Sequence, residues 1–279
     1  MNALERDDRV LSVTRIASAV IVVILLPALV VLWGMPDRTD ELWSWTIKAQ
    51  MTPIFMGSVY GAGAYFFTRV LFEDKWHRVS AGVLAAAVFA ALALIPTIAH
   101  FDKFNQGDAP TLAAIAFYGW VSVYIVSPVL VGWLWWRNQR TDPGNPEPGD
   151  PLVPPPVRQA ARVVAAGAFA TALVLMLLPG TAADIWPWDL TPLTSRVLAC
   201  MTAQLGVGAV LLSLDERWSS WRILLQTVLV ASALLLGGIA RRWDDLDHSR
   251  PLTWAFVAGL IGMAIAIALL YRRMSAAKA

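Results

Sequence analysis

The run Val79-Ser-Ala-Gly-Val-Leu-Ala-Ala-Ala-Val-Phe-Ala-Ala-Leu-Ala-Leu-Ile-Pro-Thr-Ile-Ala99 contains no Asp, Glu, Lys, Arg or His. Its alanines, leucines and valines follow one another without the polar residues, three or four apart, that a helix resting on a soluble core would show. A helix of this length is about 30 Å long, which matches the hydrocarbon core of a bilayer. Seven further stretches with little or no charge read the same way: Ile16–Gly34, Met51–Phe72, Thr111–Trp136, Ala161–Pro179, Val197–Leu214, Ile223–Ala240 and Leu252–Tyr271. The whole chain of 279 residues agrees, being 57% hydrophobic and 15% charged with a mean hydropathy of +0.58. Soluble domains carry about 25% charged residues. The expectation is an all-α integral membrane protein with eight transmembrane helices.

The first stretch is not a secretory signal. The flank Met1–Arg9 is mixed in charge, the apolar run beyond Arg15 is too long for a signal core, and Leu32-Trp-Gly-Met-Pro36 offers no small-residue cleavage site. Between the fourth and fifth stretches lies Asn138–Pro156, whose prolines and glycines forbid helix and predict an extended, solvated connector. Residues 1–137 thus read as a first four-helix unit, 138–157 as a Pro-rich cytoplasmic linker and 158–279 as a second four-helix unit. Pro128 falls inside the fourth stretch, where a packed bundle tolerates it.

Lysine and arginine set the orientation. Seven of the 22 fall on one side of the expected membrane (Arg38, Lys48, Lys103, Arg196, Arg241, Arg242 and Arg250) and the other 15 share a side with the N-terminus. That places both termini in the cytoplasm, as an even number of spans requires. Alanine, arginine and tryptophan usage suits a high-GC bacterium, hence a bacterial inner membrane.

The two units look like parallel tandem copies. Trp43-Ser-Trp45 matches Trp186-Pro-Trp188, and Gly63 matches Gly206, both at an offset of 143 (186 − 43 and 206 − 63). Glu73-Asp-Lys-Trp76 matches Asp215-Glu-Arg-Trp218 and Phe101-Asp102 matches Trp243-Asp244 at 142, and Pro110 matches Pro251 at 141. The drift is confined to loops, where insertions cost least. Four spans per copy make both copies enter from the same side, unlike inverted transporter repeats.

Chemistry is sparse. No ionisable residue lies well inside a stretch, which counts against a proton- or ion-coupled carrier. Gln204, Gln226, Thr97, Ser122, Tyr118 and Tyr124 are polar at depth and read as interhelical hydrogen-bond partners. On the non-cytoplasmic side, aromatic and acidic residues recur once per copy. Either they form an interfacial Trp belt with capping Asp residues, or Asp102, Asp244, Trp186 and Trp188, with Arg196 or Arg242 close by, line a shallow ligand site. His100 and His248 lie near these carboxylates but lack a tight ligand spacing, and neither sits deep enough for haem, so no cofactor or metal is expected. The turns Phe72–Arg78 and Leu214–Arg222, with Trp133, Trp135 and Trp136, read as cytoplasmic interface anchors. Cys200 reads as a small buried hydrophobe. Gly-x-Ser-x-Gly, His-Glu-x-x-His and the Walker lysine motif are all missing from the sequence, and a net charge of +2 without a basic block excludes nucleic acid.

The segment Trp186-Pro-Trp-Asp-Leu-Thr-Pro-Leu-Thr-Ser-Arg196 resembles one that recurs in bacterial polytopic membrane proteins of unassigned function, which implies the same helical membrane fold and no transferable activity. The expected role is a non-enzymatic accessory, scaffold or lipid-associated membrane component, partnered by membrane lipids and by another membrane protein. The alternatives are a small-molecule or lipid transporter with a cavity between the units, and an enzyme on a lipid-linked substrate at the outer face.

Overall fold

The computed structural model describes residues 6–107 and 109–276, the side chain of Ser275 excepted. The first five residues and Lys278, which entered the signal and charge readings, lie outside the described residues. The described chain is helical, with two isolated antiparallel bridges, Arg9 with Lys75 and Leu152 with Arg217.

The long helices are α1 (Ser12–Leu29, prolonged by a π-helical turn, Val30–Gly34), α2 (Met51–Phe72), α3 (Ser80–Ala99), α4 (Thr111–Gln139), α5 (Pro155–Leu177), α6 (Pro192–Leu214), α7 (Trp218–Arg241) and α8 (Pro251–Ala276). Proline opens α5, α6 and α8, where its missing N–H costs nothing. A capping box closes the start of α6, with Thr191 Oγ1 accepting from the Thr194 N–H at 3.2 Å and Thr194 Oγ1 accepting from the Thr191 N–H at 2.9 Å.

Seven of the eight are long and apolar enough to cross a membrane. The exception is α2, which forms where expected but carries Thr52, Ser58, Tyr60, Tyr65, Thr68 and Arg69. Its position explains the composition, since most of α2 is buried by other helices. α2 packs on α1 and α7, α3 on α4 and α6, α5 on α6, and α7 on α8. So α2, α3, α6 and α7 form the centre, and α1, α4, α5 and α8 the periphery. Buried residues make up 56% of the apolar window of α6 but 11% of that of α8. The periphery exposes Ile16, Val23, Ile115, Val129, Leu173 and Ile265. Water does not tolerate so continuous an apolar surface, whereas acyl chains do. The chain has the make-up of a multi-pass membrane protein.

Close approach at the centre uses glycine. A methyl group at Gly238 (α7) would fall 2.2 Å from Ile54 Cγ2 (α2), and one at Gly82 (α3) 2.3 Å from the Phe66 ring of α2. Without lipid-to-water transfer to drive it, helix association in a membrane depends on such contacts.

The linker departs from expectation. It is non-helical from Arg140 to Pro154, turning at Gly144 (φ 79°) and Gly149 (φ 76°), but it is not a free solvated connector. Val153 is buried and donates its N–H to Glu216 O at 2.8 Å, while Pro151 O accepts the Trp218 N–H at 3.1 Å. A Pro-rich strand keeps its carbonyls unpaired within itself, and here they find partners across the bundle end. Asn138, expected in the linker, instead ends α4 fully buried and ties down the N-terminal segment, taking the Leu11 N–H at 3.0 Å and donating to Arg9 O at 2.9 Å.

Candidate functional site

Each end of the bundle carries a polar assembly. At the end opposite the linker, short helices Thr39–Leu42 and Pro179–Ile185 lead into the two Trp-x-Trp segments. Trp43, Trp45, Trp186 and Trp188 are all more than nine-tenths buried and do not form an exposed belt. Trp45 meets Trp120 edge-on at 4.9 Å, Trp186 meets Trp188 at 5.5 Å, and Trp188 Nε1 donates to Thr52 Oγ1 at 2.9 Å. The segments turn inward because their backbones are held from above: Ser44 O accepts the Asn105 N–H and Pro187 O the Asp247 N–H, both at 2.8 Å.

The expected acids lie elsewhere. Asp102 is exposed and bonds Lys103 at 2.8 Å, and this hydrogen bond holds its carboxyl below the ordinary range. Asp244 is exposed, and among the described residues neither acid has an arginine within 4.0 Å. Arg196 donates to Met176 O at 3.2 Å and to His100 Nε2 at 2.6 Å. Burial and the Arg196 charge lower the His100 pKa, so its ring nitrogen is an acceptor here. Arg242 is half-buried. Of the six residues singled out, only Trp188 lines the groove on this face, a depression of about 380 Å³ whose charged lining is Lys48, Asp189, Asp245 and Asp247. Gln50 also lines it, with a buried Oε1 that has no hydrogen-bond partner.

The assembly at the linker end escaped the sequence reading. Trp76 and Trp218, read there as interface anchors, are buried. Beside them His77 sits with 1% of its side chain exposed. Its Nδ1 lies 2.5 Å from Asp8 Oδ2, its Nε2 lies 2.8 Å from Ser219 Oγ, and its backbone N–H bonds Asp8 Oδ1 at 3.0 Å. Ser219 sends its hydroxyl proton to Asp150 Oδ2 at 2.6 Å, and its N–H to Asp150 Oδ1 at 3.1 Å. With that proton committed, Ser219 Oγ is left with its lone pairs toward His77 Nε2. Asp8 adopts φ 60°, a left-handed conformation that Asp tolerates better than most residues. It uses every polar group it has, its N–H reaching Thr141 O at 2.8 Å and its carbonyl taking the Trp76 N–H at 2.7 Å.

Arginines complete this knot. Arg78 bridges Glu73 at 2.9 Å and Glu147 at 2.7 Å, and Arg217 bridges Asp142 at 2.8 Å and Asp215 at 2.7 Å. Burial alone would raise both aspartates. The Arg217 hydrogen bonds outweigh it and hold them below the ordinary value.

Two chemistries suggest themselves at the knot and fail on geometry. Asp8, His77 and Ser219 line up as a hydrolase relay would, but the serine proton points to Asp150. The N–H groups of His77 and Ser219 are also taken, by Asp8 and Asp150, and so are not free to act as oxyanion donors. Asp8, His77 and Glu147 present ligand atoms within 4.8 Å of one another, as a metal site would. Glu147, however, is bound through both oxygens by Arg78, whose charge opposes a cation. The knot ties the N-terminal segment, the linker and two interhelical turns together. Asp8, Glu147 and Asp150 could not be linked to His77 by any local motif, because each stands in a proline-rich or terminal segment that reads as loop.

No family model, curated protein or solved structure gives a significant match to this chain.

Proposed function

We propose that the chain is an eight-span protein of two parallel four-helix repeats, with both termini and the linker on the cytoplasmic side of a bacterial inner membrane. We further propose that it acts as a non-enzymatic, lipid-associated scaffold or accessory component. Several hydrogen bonds support the duplication by recurring at the offset seen in the sequence. Val10 N–H to Asp74 O recurs as Val153 N–H to Glu216 O (153 − 10 = 143, 216 − 74 = 142), and Asn105 N–H to Ser44 O as Asp247 N–H to Pro187 O (247 − 105 = 142, 187 − 44 = 143). Asp8 accepts the His77 N–H as Asp150 accepts that of Ser219, both at 142 (150 − 8 and 219 − 77). Residues equivalent by that offset, His77 and Ser219, touch each other, as residues on a two-fold axis do.

The observation that carries the scaffold reading is the crosswise packing. The second helix of each repeat packs on the third helix of the other, α2 on α7 and α6 on α3, through contacts too tight for a methyl group at Gly238. A carrier would have to part these surfaces in each cycle, whereas a scaffold keeps them closed.

Double electron–electron resonance between spin labels at the exposed positions Asp40 and Asp184, in nanodiscs, tests this. One narrow distance distribution is expected. Two populations exchanging with lipid or solute would favour a carrier instead.

A further inference from the structure

We propose that the C-terminal end of α4 is a binding site for the phosphate of an anionic phospholipid in the cytoplasmic leaflet, formed by Arg137 and Arg140 stacked on Trp133 and Trp136. The inference rests on the membrane reading above and names a lipid class and a position for it.

α4 has 29 residues and is therefore about 43 Å long, against a hydrocarbon core of about 30 Å. Its last turns thus emerge among headgroups. Ile125, Val129, Trp133 and Trp136 are exposed along one stripe of the helix. Arg137 and Arg140 prolong that stripe at the spacing that makes helical side chains neighbours. The Arg137 guanidinium carbon lies 5.2 Å from the Trp133 ring centroid, and that of Arg140 3.6 Å from the Trp136 centroid. Stacking fixes each planar group against an apolar face and leaves its N–H edge open, the geometry suited to phosphate oxygens. Among the described residues neither guanidinium has a hydrogen-bond or carboxylate partner, and neither indole N–H has one. Several other arginines at this end are spent internally: Arg15 on Asp74, Arg78 on Glu73 and Glu147, Arg217 on Asp142 and Asp215. Arg222, Arg272 and Arg273 also lack a carboxylate partner among the described residues, but none of them stacks on an aromatic ring there. A third stack, Arg241 on Trp33, differs in that Arg241 also bonds the Trp33 carbonyl. The negative end of the α4 dipole helps hold the two cations without using their N–H groups. Two cations without counter-ions, at headgroup depth and walled by lipid-facing tryptophans, complement an anionic lipid.

The test is native mass spectrometry of the full chain released from nanodiscs of phosphatidylcholine containing a minor share of phosphatidylglycerol. The wild type should retain phosphatidylglycerol at least tenfold above its share, and R137Q/R140Q should lose that enrichment with an unchanged melting temperature. R137K/R140K keeps the charge without the planar stack and should retain it only in part. Equal enrichment in wild type and R137Q/R140Q would overturn the site, as would displacement of the lipid by millimolar inorganic phosphate, which would indicate a solute anion site. Failure to insert even into pure phosphatidylcholine would instead contradict the membrane reading itself.

Discussion

Replacing Arg217 by Met should destabilise the solubilised protein by roughly 3–5 kcal/mol, the usual cost of removing one partner from a buried ion pair. Side-chain exposure is 10% for Arg217, 6% for Asp142 and 22% for Asp215, so solvent screens this triad little. The replacement leaves two carboxylates without their counter-ion and frees the linker at Asp142. The pH dependence separates this cause from a general packing defect. Both carboxyls are depressed in the folded state. Their stabilisation is therefore complete above the ordinary aspartate pKa of about 3.9 and is lost as pH falls through the lower folded values. In R217M the arginine no longer opposes desolvation, the carboxyls rise, and mild acidification should narrow the gap to wild type. Reversible unfolding in mixed micelles between pH 4 and 7 measures this. A deficit below 1 kcal/mol, or one that does not change with pH, would refute the role assigned to Arg217.

The second large effect is expected at His77. H77A leaves the Asp8 carboxylate, 6% exposed, with only one backbone N–H, and removes the link to Ser219. Buried polar groups stripped of partners cost about 1–3 kcal/mol each, and charged ones more, so a loss of about 3 kcal/mol is expected. D8A should cost a similar amount, and the double variant much less than the sum, because the two residues act as one unit. Strict additivity would mean that the knot is not cooperative. Near-wild-type stability of H77A would mean that it does not hold the two halves of the chain together.

The helices were legible because each apolar stretch ends where charge begins. Met51–Phe72, Ala99, Thr111 and Leu214 were placed to the residue, as was Gly34, where the π-turn ends. Val79 and Pro179 moved inward by one or two residues, and the remaining ends moved outward by one to six as helix continued into the interfacial turns. The weaker hydropathy of α2 was legible only as a run containing Tyr, Thr and Arg69. That α2 is central follows from its neighbours, which no local pattern specifies. The Trp-x-Trp segments were visible as a repeated signal, but whether they face lipid or core depends on the Asn105 and Asp247 N–H groups that hold their backbones in place. The knot was not legible. It joins positions 8, 77, 147, 150 and 219, which share no local motif, and its acids stand in the N-terminal flank and the linker, which read as loop. One sign was present: Asp8 and Asp150 stand at the repeat offset, ahead of the first helix of each half. The candidate acids Asp102 and Asp244 stood out by repetition alone, and repetition follows from duplication as readily as from a shared site.

The proposal of eight spans in two parallel repeats is most directly tested by topology. Single cysteines at Asp40, Asp74, Asn145, Asp184 and Glu216, all exposed positions, would be labelled with a membrane-impermeant thiol reagent in intact cells and in permeabilised cells, with the buried Cys200 replaced by Ser. Positions 40 and 184 should label in intact cells, while 74, 145 and 216 should label only after permeabilisation. If 40 and 74 label together, Met51–Phe72 does not cross the membrane; if 74 and 216 label from opposite sides, the halves are not parallel.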